Sequence, residues 1–205
     1  MTNSKIDINN CIFKKYTKEL VQKARKFDCG NSDLNDFFER DAFHFESQLF
    51  GKTYCFLPDS NEKEIICIFT ISNDSVKVKT LPEESKKQLR KYIPRQKRGL
   101  RNYPAVLIGR LGVDKKYMDS GIGSQVLDFI KAWFRQGDNK TGCRFLIVDA
   151  YNTEEVTSFY NKRNGFSFLF DSEEIEAKFI GVNLKQDEPL HTRIMFYDLI
   201  EIKEQ

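Results

Sequence analysis

The pattern of apolar and polar positions first becomes regular between Ser32 and Phe50. Apolar residues recur there at steps of three and four, a spacing that predicts an amphipathic helix. They are Leu34, Phe37, Phe38, Ala42, Phe45 and Leu49. We expect Gly51 to end this helix, because glycine is favoured just after a helix C-terminus.

Three runs rich in β-forming residues follow the helix. They are Thr53–Leu57, Glu64–Ser72 and Ser75–Lys79. The residues Pro-Asp-Ser-Asn-Glu separate the first two runs, and turn-forming residues of this kind are typical of a hairpin loop. The first half of the chain therefore predicts antiparallel strands.

Strand and helix patterns alternate in the second half. A short basic helix is predicted at Glu83–Tyr92, before Pro94. The apolar strand Ala105–Val113 then enters a loop with two glycines and a helix that stops at Gly137. The apolar face of this helix comprises Ile122, Val126, Leu127, Ile130, Trp133 and Phe134.

The pattern continues with one strand, one helix and two final strands. We expect a strand at Cys143–Ala150 and a helix that runs to Gly165. Asn152 is predicted to cap this helix, because Glu155 follows at capping-box spacing. The last strands are predicted at Phe166–Phe170 and Arg193–Ile200, and no element is assigned to the polar segment Asp171–Glu188.

This order of elements predicts the fold class. Strand–helix–strand units favour locally parallel pairing in the second half, next to the antiparallel first half. We therefore expect an α/β fold with a mixed central sheet flanked by helices. A length of 205 residues suits one domain, so residues 1–205 are predicted to form a single domain.

The composition argues against a metal centre, a disulfide framework and a membrane span. The five cysteines are scattered without a C-x-x-C pair, and both histidines are distant from them in sequence, so no metal site is predicted. No apolar stretch approaches the ~20 residues of a membrane helix, and the first residues lack the apolar run of a signal peptide. We expect a cytoplasmic protein with free thiols.

The loop between the apolar strand and its helix is the first candidate site. Gly121 and Gly123 lie at the start of the helix, where free N–H groups and the helix dipole favour an anion. A dinucleotide-binding loop would need a third glycine where Val126 stands, and the Gly-Lys-Ser/Thr of a P-loop is absent. Tight packing would explain the two glycines equally well.

Several motifs in a fixed order resemble the GNAT superfamily of N-acetyltransferases. They are Arg110-Leu-Gly-Val-Asp, Ser120-Gly-Ile-Gly, Val148-Asp-Ala and Phe159-Tyr-Asn-Lys-Arg-Asn-Gly-Phe. Within the superfamily, Phe27-Asp-Cys-Gly-Asn-Ser-Asp-Leu-Asn-Asp-Phe and Phe69-Thr-Ile-Ser resemble the branch of toxins that acetylate aminoacyl-tRNA. The resemblance covers about residues 10–200.

The resemblance implies a function, a cofactor and site residues. The function is transfer of an acetyl group from acetyl-CoA to a primary amine, with the amino group of aminoacyl-tRNA as the favoured acceptor. Tyr160 is the implied general acid that protonates the departing CoA thiolate. The implied cofactor-binding residues are Leu111, Gly112, Val113, Met118, Asp119, Ser120, Gly121, Ile122, Gly123, Ser124 and Asn152.

The resemblance also implies partners and leaves alternatives open. A small DNA-binding antitoxin is an implied partner, no membrane is, and a homodimer is allowed. The loop departs from the family pattern because Met118 and Ser120 stand where the family has glutamine or basic residues, and the acidic Asp119 lies between them. Weaker CoA binding is expected, and a catalytically silent binding module remains an alternative, as does acetylation of a small amine or a protein amine.

A basic segment between Lys86 and Arg101 is the candidate RNA contact. It contains lysines and arginines but no acidic residue, although the whole chain carries a net charge of only +3. Such a patch attracts phosphates, and a solvated surface is its simpler interpretation. The candidate residues are Lys91, Arg95, Lys97, Arg98 and Arg101.

Overall fold

The computed structural model describes residues 6–91, 93–118, 120–184 and 188–200. In these residues seven strands form one sheet in the order β1-β2-β3-β4-β5-β7-β6. The strands are β1 Cys11–Lys15, β2 Lys52–Pro58, β3 Cys67–Lys77, β4 Asn102–Val113, β5 Phe145–Tyr151, β6 Ser167–Phe168 and β7 Thr192–Asp198. The α-helices are α1 Lys18–Lys23, α2 Ser32–Asp36, α3 Ala42–Ser47, α4 Glu83–Arg90, α5 Ile122–Arg135, α6 Glu154–Ser158 and α7 Glu173–Ile180.

The sheet is mixed, as the sequence predicts. The pairs β1–β2, β2–β3, β5–β7 and β6–β7 are antiparallel. β4 and β5 are parallel over three residue pairs, from Ala105–Phe145 to Leu107–Ile147. The α/β class with an antiparallel first half and a locally parallel second half is therefore confirmed.

The chain divides into two compact units. The first comprises Met1–Ser72 and Ile108–Ile130, and the second comprises Asn73–Leu107 and Lys131–Gln205. The core of the first unit comprises Tyr16, Phe37, Phe38, Ala42, Cys55, Leu57, Ile65 and Ile68. The core of the second comprises Val76, Val78, Leu81, Leu89, Ile93, Tyr103, Ala105, Phe145, Ile147, Leu169, Phe170 and Phe196.

The predicted helix between Ser32 and Phe50 is interrupted by one wider turn. α2 is followed by a π-helical turn at Phe37–Asp41 and then by α3. The side chain of Asn31 caps α2 by accepting the Leu34 N–H at 3.0 Å. Phe37, Phe38 and Ala42 are buried, so the apolar spacing marks the packed face in this part, whereas Leu49, predicted on the same face, is 91% exposed.

The end of α3 differs from the prediction that Gly51 stops the helix. Leu49 takes the left-handed conformation, with φ of 61°. Its N–H donates to the Glu46 carbonyl at 2.9 Å, and the Phe50 N–H donates to the Phe45 carbonyl at 3.1 Å, which is the Schellman pattern. Gly51 has a packing reason instead, because a Cβ there would lie 2.6 Å from the Phe45 ring.

Several element boundaries also differ from the pattern. The runs Glu64–Ser72 and Ser75–Lys79 are one strand, β3, followed by a 3₁₀ turn at Val78–Thr80. The sequence analysis missed β1, α1 and α7. The first two are only 5 and 6 residues long, too short for a period to appear.

α7 was missed for a different reason. Glu176 is buried in this helix. Because glutamate does not count as an apolar residue, the apolar spacing that would predict a helix is interrupted there. Arg193 pairs with this carboxylate through Nε at 2.6 Å, and the Ile194 N–H donates to its other oxygen, also at 2.6 Å. A buried charge is tolerated when it is paired and hydrogen-bonded in this way.

Candidate active site

The end of β4 forms one side of the candidate cofactor site. Pairing with β5 reaches Leu107, while β4 continues through the predicted residues Leu111–Val113. Gly112 is buried, and a Cβ there would lie 3.2 Å from Cys29 and 3.2 Å from Phe38. Gly112 thus fits the close packing on the side that Cys29 covers, where a larger residue would be crowded.

The glycine loop follows a short 3₁₀ turn and leads into α5. Gly121 has φ of 80° and is exposed, and a Cβ built on it meets no heavy atom within 4 Å. Its carbonyl accepts the Gln125 N–H at 3.2 Å, so the first helical hydrogen bond starts at Gly121. The N–H groups of Ile122, Gly123 and Ser124 belong to the first turn, where the helix supplies no acceptor.

The described side chains of this loop, Met118 and residues 120–124, carry no positive charge that could bind a phosphate. Met118 is 43% exposed and continues the 3₁₀ turn. The Ser120 hydroxyl donates to the Tyr117 carbonyl, so it stabilises the turn. Asp119, the acidic residue predicted to oppose a phosphate, lies outside the described residues. An anion here would rely on backbone N–H groups.

The two lysines that precede the loop are paired with carboxylates. Lys115 Nζ lies 2.9 Å from Asp28 Oδ2, and Lys116 Nζ lies 2.6 Å from Glu64 Oε2. Glu64 also accepts the Tyr117 hydroxyl. The pKa of Glu64 is lowered, first by the hydrogen bond from Lys116 and then by that from Tyr117. These ion pairs thus stabilise the loop stem, which is the 3₁₀ turn at Lys115–Tyr117 that leads into the loop.

Tyr160, the predicted general acid, lies in a π-helical turn that follows α6. The turn spans Phe159–Arg163, and π turns are frequent at functional sites. The ring packs edge-on against Phe159 and Phe166, with centroid distances of 5.1 and 5.4 Å. Burial raises the pKa of Tyr160 to about 12, so the phenol keeps the proton that a general acid must donate.

Asn152 does not cap the helix, contrary to the prediction. The cap of α6 is Thr153, whose hydroxyl oxygen accepts the Val156 N–H at 3.3 Å. The Asn152 amide instead donates to Glu173 Oε1 and to the Leu190 carbonyl, both at 2.9 Å. The N-cap is therefore one residue later than predicted, and no capping box forms, because Val156 stands at the position that would need a glutamate or glutamine.

The basic segment is exposed around a 3₁₀ turn at Arg95–Lys97. Arg95, Lys97 and Arg101 have no side-chain partner among the residues that the structure describes. Arg98 differs, because it donates to the Ile93 carbonyl at 3.0 Å and to the Arg90 carbonyl at 3.3 Å. Arg98 therefore stabilises the end of α4.

Lys91 lies at a cleft inside the second unit, with a volume of about 420 Å³. The other lining residues are Gln88, Asn161, Ser167, Phe168, Phe170, Asp171, Phe196 and Asp198. Arg144 lies 2.7 Å from Asp198, so one of the two carboxylates at the cleft is paired. The cleft is both polar and aromatic, and the sequence analysis did not predict it.

Metal ligands, thiol groups and apolar helices are the remaining features that bear on function. Within the described ranges, no group of three or more His, Cys, Asp or Glu side chains has metal-binding geometry. Burial raises the pKa of Cys143 to about 11, so this thiol stays protonated near neutral pH. In that part of the chain no helix is long and apolar enough to cross a membrane.

The structure brings some predicted site residues together within one unit. Residues Leu111–Val113, Met118 and the Ser120–Ser124 stretch all belong to the first unit, whereas Tyr160 and Asn152 belong to the second. The sequence analysis gave no role to Asp28 or Glu64, the carboxylates that hold the loop stem. For Asp28 a signal existed, because it lies in the motif Phe27-Asp-Cys-Gly.

Comparisons with solved structures identify the fold. AtaT complexed with acetyl-methionyl-tRNAfMet superposes with a TM-score of 0.63 at 19% identity, over 92% of this chain and 94% of AtaT. A Tyr-to-Phe mutant of KacT superposes with a TM-score of 0.60 at 20% identity, over 93% and 95%. AtaTR bound with AcCoA superposes with a TM-score of 0.56 at 16% identity, over 93% and 94%. No protein-family model matches the chain.

These likenesses extend over nearly the whole length of both chains in each pair. The mixed sheet, with β4 parallel to β5, and the glycine loop before α5 agree with the predicted architecture. The chain therefore has the GNAT fold, in the form that AtaT and KacT share.

Proposed function

We propose that this protein is an acetyl-CoA-dependent N-acetyltransferase whose favoured acceptor is the amino group of aminoacyl-tRNA. The observation that carries the proposal is the open backbone cradle at Gly121, between β4 and the 14-residue helix α5. The fold shared with AtaT complexed with an acetylated tRNA, and with AtaTR bound with AcCoA, supports it.

The proposed cofactor contacts use backbone groups. Leu111, Gly112 and Val113 pair with pantetheine and direct one N–H toward the acyl carbonyl. The stretch Met118–Ser124 holds the pyrophosphate through the N–H groups of Gly121 and of the first turn of α5. An amide of this kind stabilises the oxyanion that forms when the amine attacks the thioester.

The proposed chemistry needs one proton donor and no strong base. An α-amino group has a pKa of ~7.7–8.0, so a useful fraction is already neutral near pH 7. The neutral amine attacks the thioester carbon, the carbon–sulfur bond breaks, and the thiolate takes a proton from the Tyr160 hydroxyl. The proton that the attacking nitrogen loses passes through solvent and returns to the Tyr160 phenolate, so the amide, the CoA thiol and the neutral phenol are the products. Asn152 is the proposed contact to the CoA arm, and this would require its amide to exchange the bonds to Glu173 and Leu190.

The proposed setting follows from the same fold. We place the protein in the cytoplasm, where acetyl-CoA and charged tRNA are available, as one acyltransferase domain over residues 1–205. The exposed cations Lys91, Arg95, Lys97 and Arg101 are the proposed RNA contacts, and a small DNA-binding antitoxin is the proposed protein partner. AtaT bound to the C-terminus of the antitoxin AtaR and acetyl-CoA has the same fold.

The deciding experiment is acetylation of charged tRNA by the parent and by Tyr160→Phe. We expect the substitution to lower kcat by more than about tenfold, since general-acid catalysis is typically worth 10²–10⁴-fold. Acetyl-CoA affinity should change little, because the ring still packs between Phe159 and Phe166. With a folded-state pKa of about 12, the parent rate should rise with amine deprotonation near pH 8 and should not fall again below pH 10.

One result would refute the proposed binding of acetyl-CoA, and another would refute the proposed role of Tyr160. Calorimetry at millimolar acetyl-CoA without any heat of binding would favour the silent binding module. Equal kcat for the parent and Tyr160→Phe would return Tyr160 to a packing role. Phe159→Leu is the matched control, since it changes an adjacent ring without removing a proton donor.

A further inference from the structure

We infer that Asp28 is a positioning residue for the acyl-CoA site, fixing the joint between the end of β4 and the glycine loop in the geometry that binds the cofactor. The inference rests on the proposed acyl-CoA function and deepens it, because it explains the motif Phe27-Asp-Cys-Gly. Asp28 does not itself touch the cofactor in this proposal; it acts through Asp114 and Lys115.

Three hydrogen bonds join Asp28 to this joint. The Asp28 N–H donates to Asp114 Oδ2 at 3.1 Å, and the Asp28 carbonyl accepts the Lys115 N–H at 2.9 Å. The carboxylate then accepts Lys115 Nζ through Oδ2, also at 2.9 Å. Backbone and side chain of one residue thus hold two consecutive residues, just after β4 ends at Val113.

The turn that carries Asp28 is itself held by α2. Asn35, within that helix, donates its amide to Asp28 Oδ1 at 2.8 Å and accepts the Cys29 N–H at 3.0 Å. The Gly30 N–H adds a further hydrogen bond to Asp28 Oδ1 at 2.8 Å. The Asp28 carboxylate therefore accepts three donors, and the hydrogen bond from Asn35 orients it relative to α2.

Two glycines allow the turn and the strand to approach closely. A Cβ on Gly112 would lie 3.2 Å from Cys29 Sγ, and a Cβ on Gly30 would lie 3.1 Å from the Lys115 side chain. Gly30 also has φ of 80°, a conformation that other residues rarely adopt. The motif is thus shaped to lie against the backbone that would pair with pantetheine.

A purely electrostatic role for Asp28 makes the opposite prediction. Removing its charge would leave Lys115 unneutralised beside a ligand with several phosphate charges, so electrostatics alone predicts tighter acetyl-CoA binding. The positioning role predicts weaker binding. In Asp28→Asn one oxygen is left for the donors of Gly30, Asn35 and Lys115, and the joint loses part of its support.

The test is calorimetry with acetyl-CoA on the parent, Asp28→Asn and Asn35→Ala, with kcat measured at saturating acetyl-CoA. We expect both variants to bind about tenfold more weakly, because a preorganised loop saves the cost of ordering it on binding. Their kcat should stay within about twofold, since no reacting group is removed. Hydrogen exchange of the Lys115 amide in the ligand-free protein should be faster in both.

Asn35→Ala keeps the experiment decisive if Asp28→Asn does not fold, because it leaves the charges of Asp28 and Lys115 unchanged. Glu62→Gln is the matched control: it removes one exposed carboxylate, paired with Lys14, from the same unit. Unchanged or tighter binding by Asp28→Asn and Asn35→Ala, with a parent that binds acetyl-CoA, would overturn this inference alone. A parent that does not bind would overturn the proposed function and this inference with it.

Discussion

The two lysines that precede the glycine loop differ in their pairing from Arg95 and Lys97 of the basic segment. Lys115 and Lys116 are each paired with a carboxylate at hydrogen-bond distance. Arg95 and Lys97 are exposed in the second unit, without a side-chain partner in the described part of the chain. All four side chains are exposed, so the difference lies in the pairing: a cation held by a carboxylate stabilises its own surroundings, whereas one without such a partner is available to a ligand.

This difference separates two kinds of anion binding within the proposed function. The loop would bind a pyrophosphate with backbone N–H groups whose positions are fixed in advance by Asp28 and Glu64. The basic segment would bind RNA phosphates with flexible side chains and by releasing counterions. The first kind depends on geometry, and the second depends on charge and therefore on salt.

The largest expected effect comes from reversing the exposed cations. The variant Arg95→Glu, Lys97→Glu and Arg101→Glu should lower kcat/KM for charged tRNA by more than about a hundredfold, since each phosphate contact contributes to log K. Acetyl transfer to a small amine should be unchanged, because no cofactor contact is altered. Both activities are measured with the same enzyme preparations.

A matched control reverses three exposed lysines of the first unit, Lys23, Lys52 and Lys63. It changes the net charge by the same amount, and we expect less than about a tenfold loss on tRNA from the general field alone. If both triple variants lose tRNA acetylation equally, net charge is responsible and the basic segment is an ordinary solvated surface.

A higher salt concentration should weaken the binding of tRNA much more than the binding of acetyl-CoA. Three phosphate contacts at about −0.7 each give a log–log slope near −2, so a tenfold rise in salt should weaken tRNA binding about a hundredfold. Acetyl-CoA binding should weaken by less than about threefold over the same range, because its proposed contacts are backbone groups. Titrations of both ligands over a tenfold range of salt, roughly 50 to 500 mM, measure the two slopes. Equal slopes would mean that the loop and the basic segment do not bind their anions in different ways.

The sequence predicts the fold well where one period dominates. α5 is expected from its apolar spacing and is found at Ile122–Arg135. The same reasoning fails where tertiary contacts replace local ones. Leu49 takes the position of a capping glycine, and Glu176 fills a buried position because Arg193 pairs with it.

The candidate site shows the same division between pattern and contact. The glycine loop and its place between strand and helix follow from the residues around Gly121. That Lys115 is held by Asp28 could not be predicted, because the two residues are 87 positions apart in sequence. The carbonyls that Arg98 contacts are only five and eight positions away, but a pattern of charges does not show that its guanidinium bonds to the backbone.

The smallest expected effect concerns Arg98, the paired member of the basic segment. Arg98→Gln should lower the free energy of unfolding by about 1 kcal/mol, because the carbonyls of Arg90 and Ile93, at and just after the end of α4, each lose one hydrogen bond. The tRNA affinity should change by less than about twofold, since this guanidinium is already engaged. Arg95→Gln is the matched control, and for it the expectation is reversed: unfolding is unchanged, and tRNA binding weakens with a salt slope smaller by about 0.7. Urea denaturation and tRNA titration of both variants test the pair. A loss of tRNA affinity in Arg98→Gln as large as in Arg95→Gln would mean that Arg98 leaves the carbonyls of Ile93 and Arg90 to bind RNA, and the separation of paired from exposed cations would not hold within this segment.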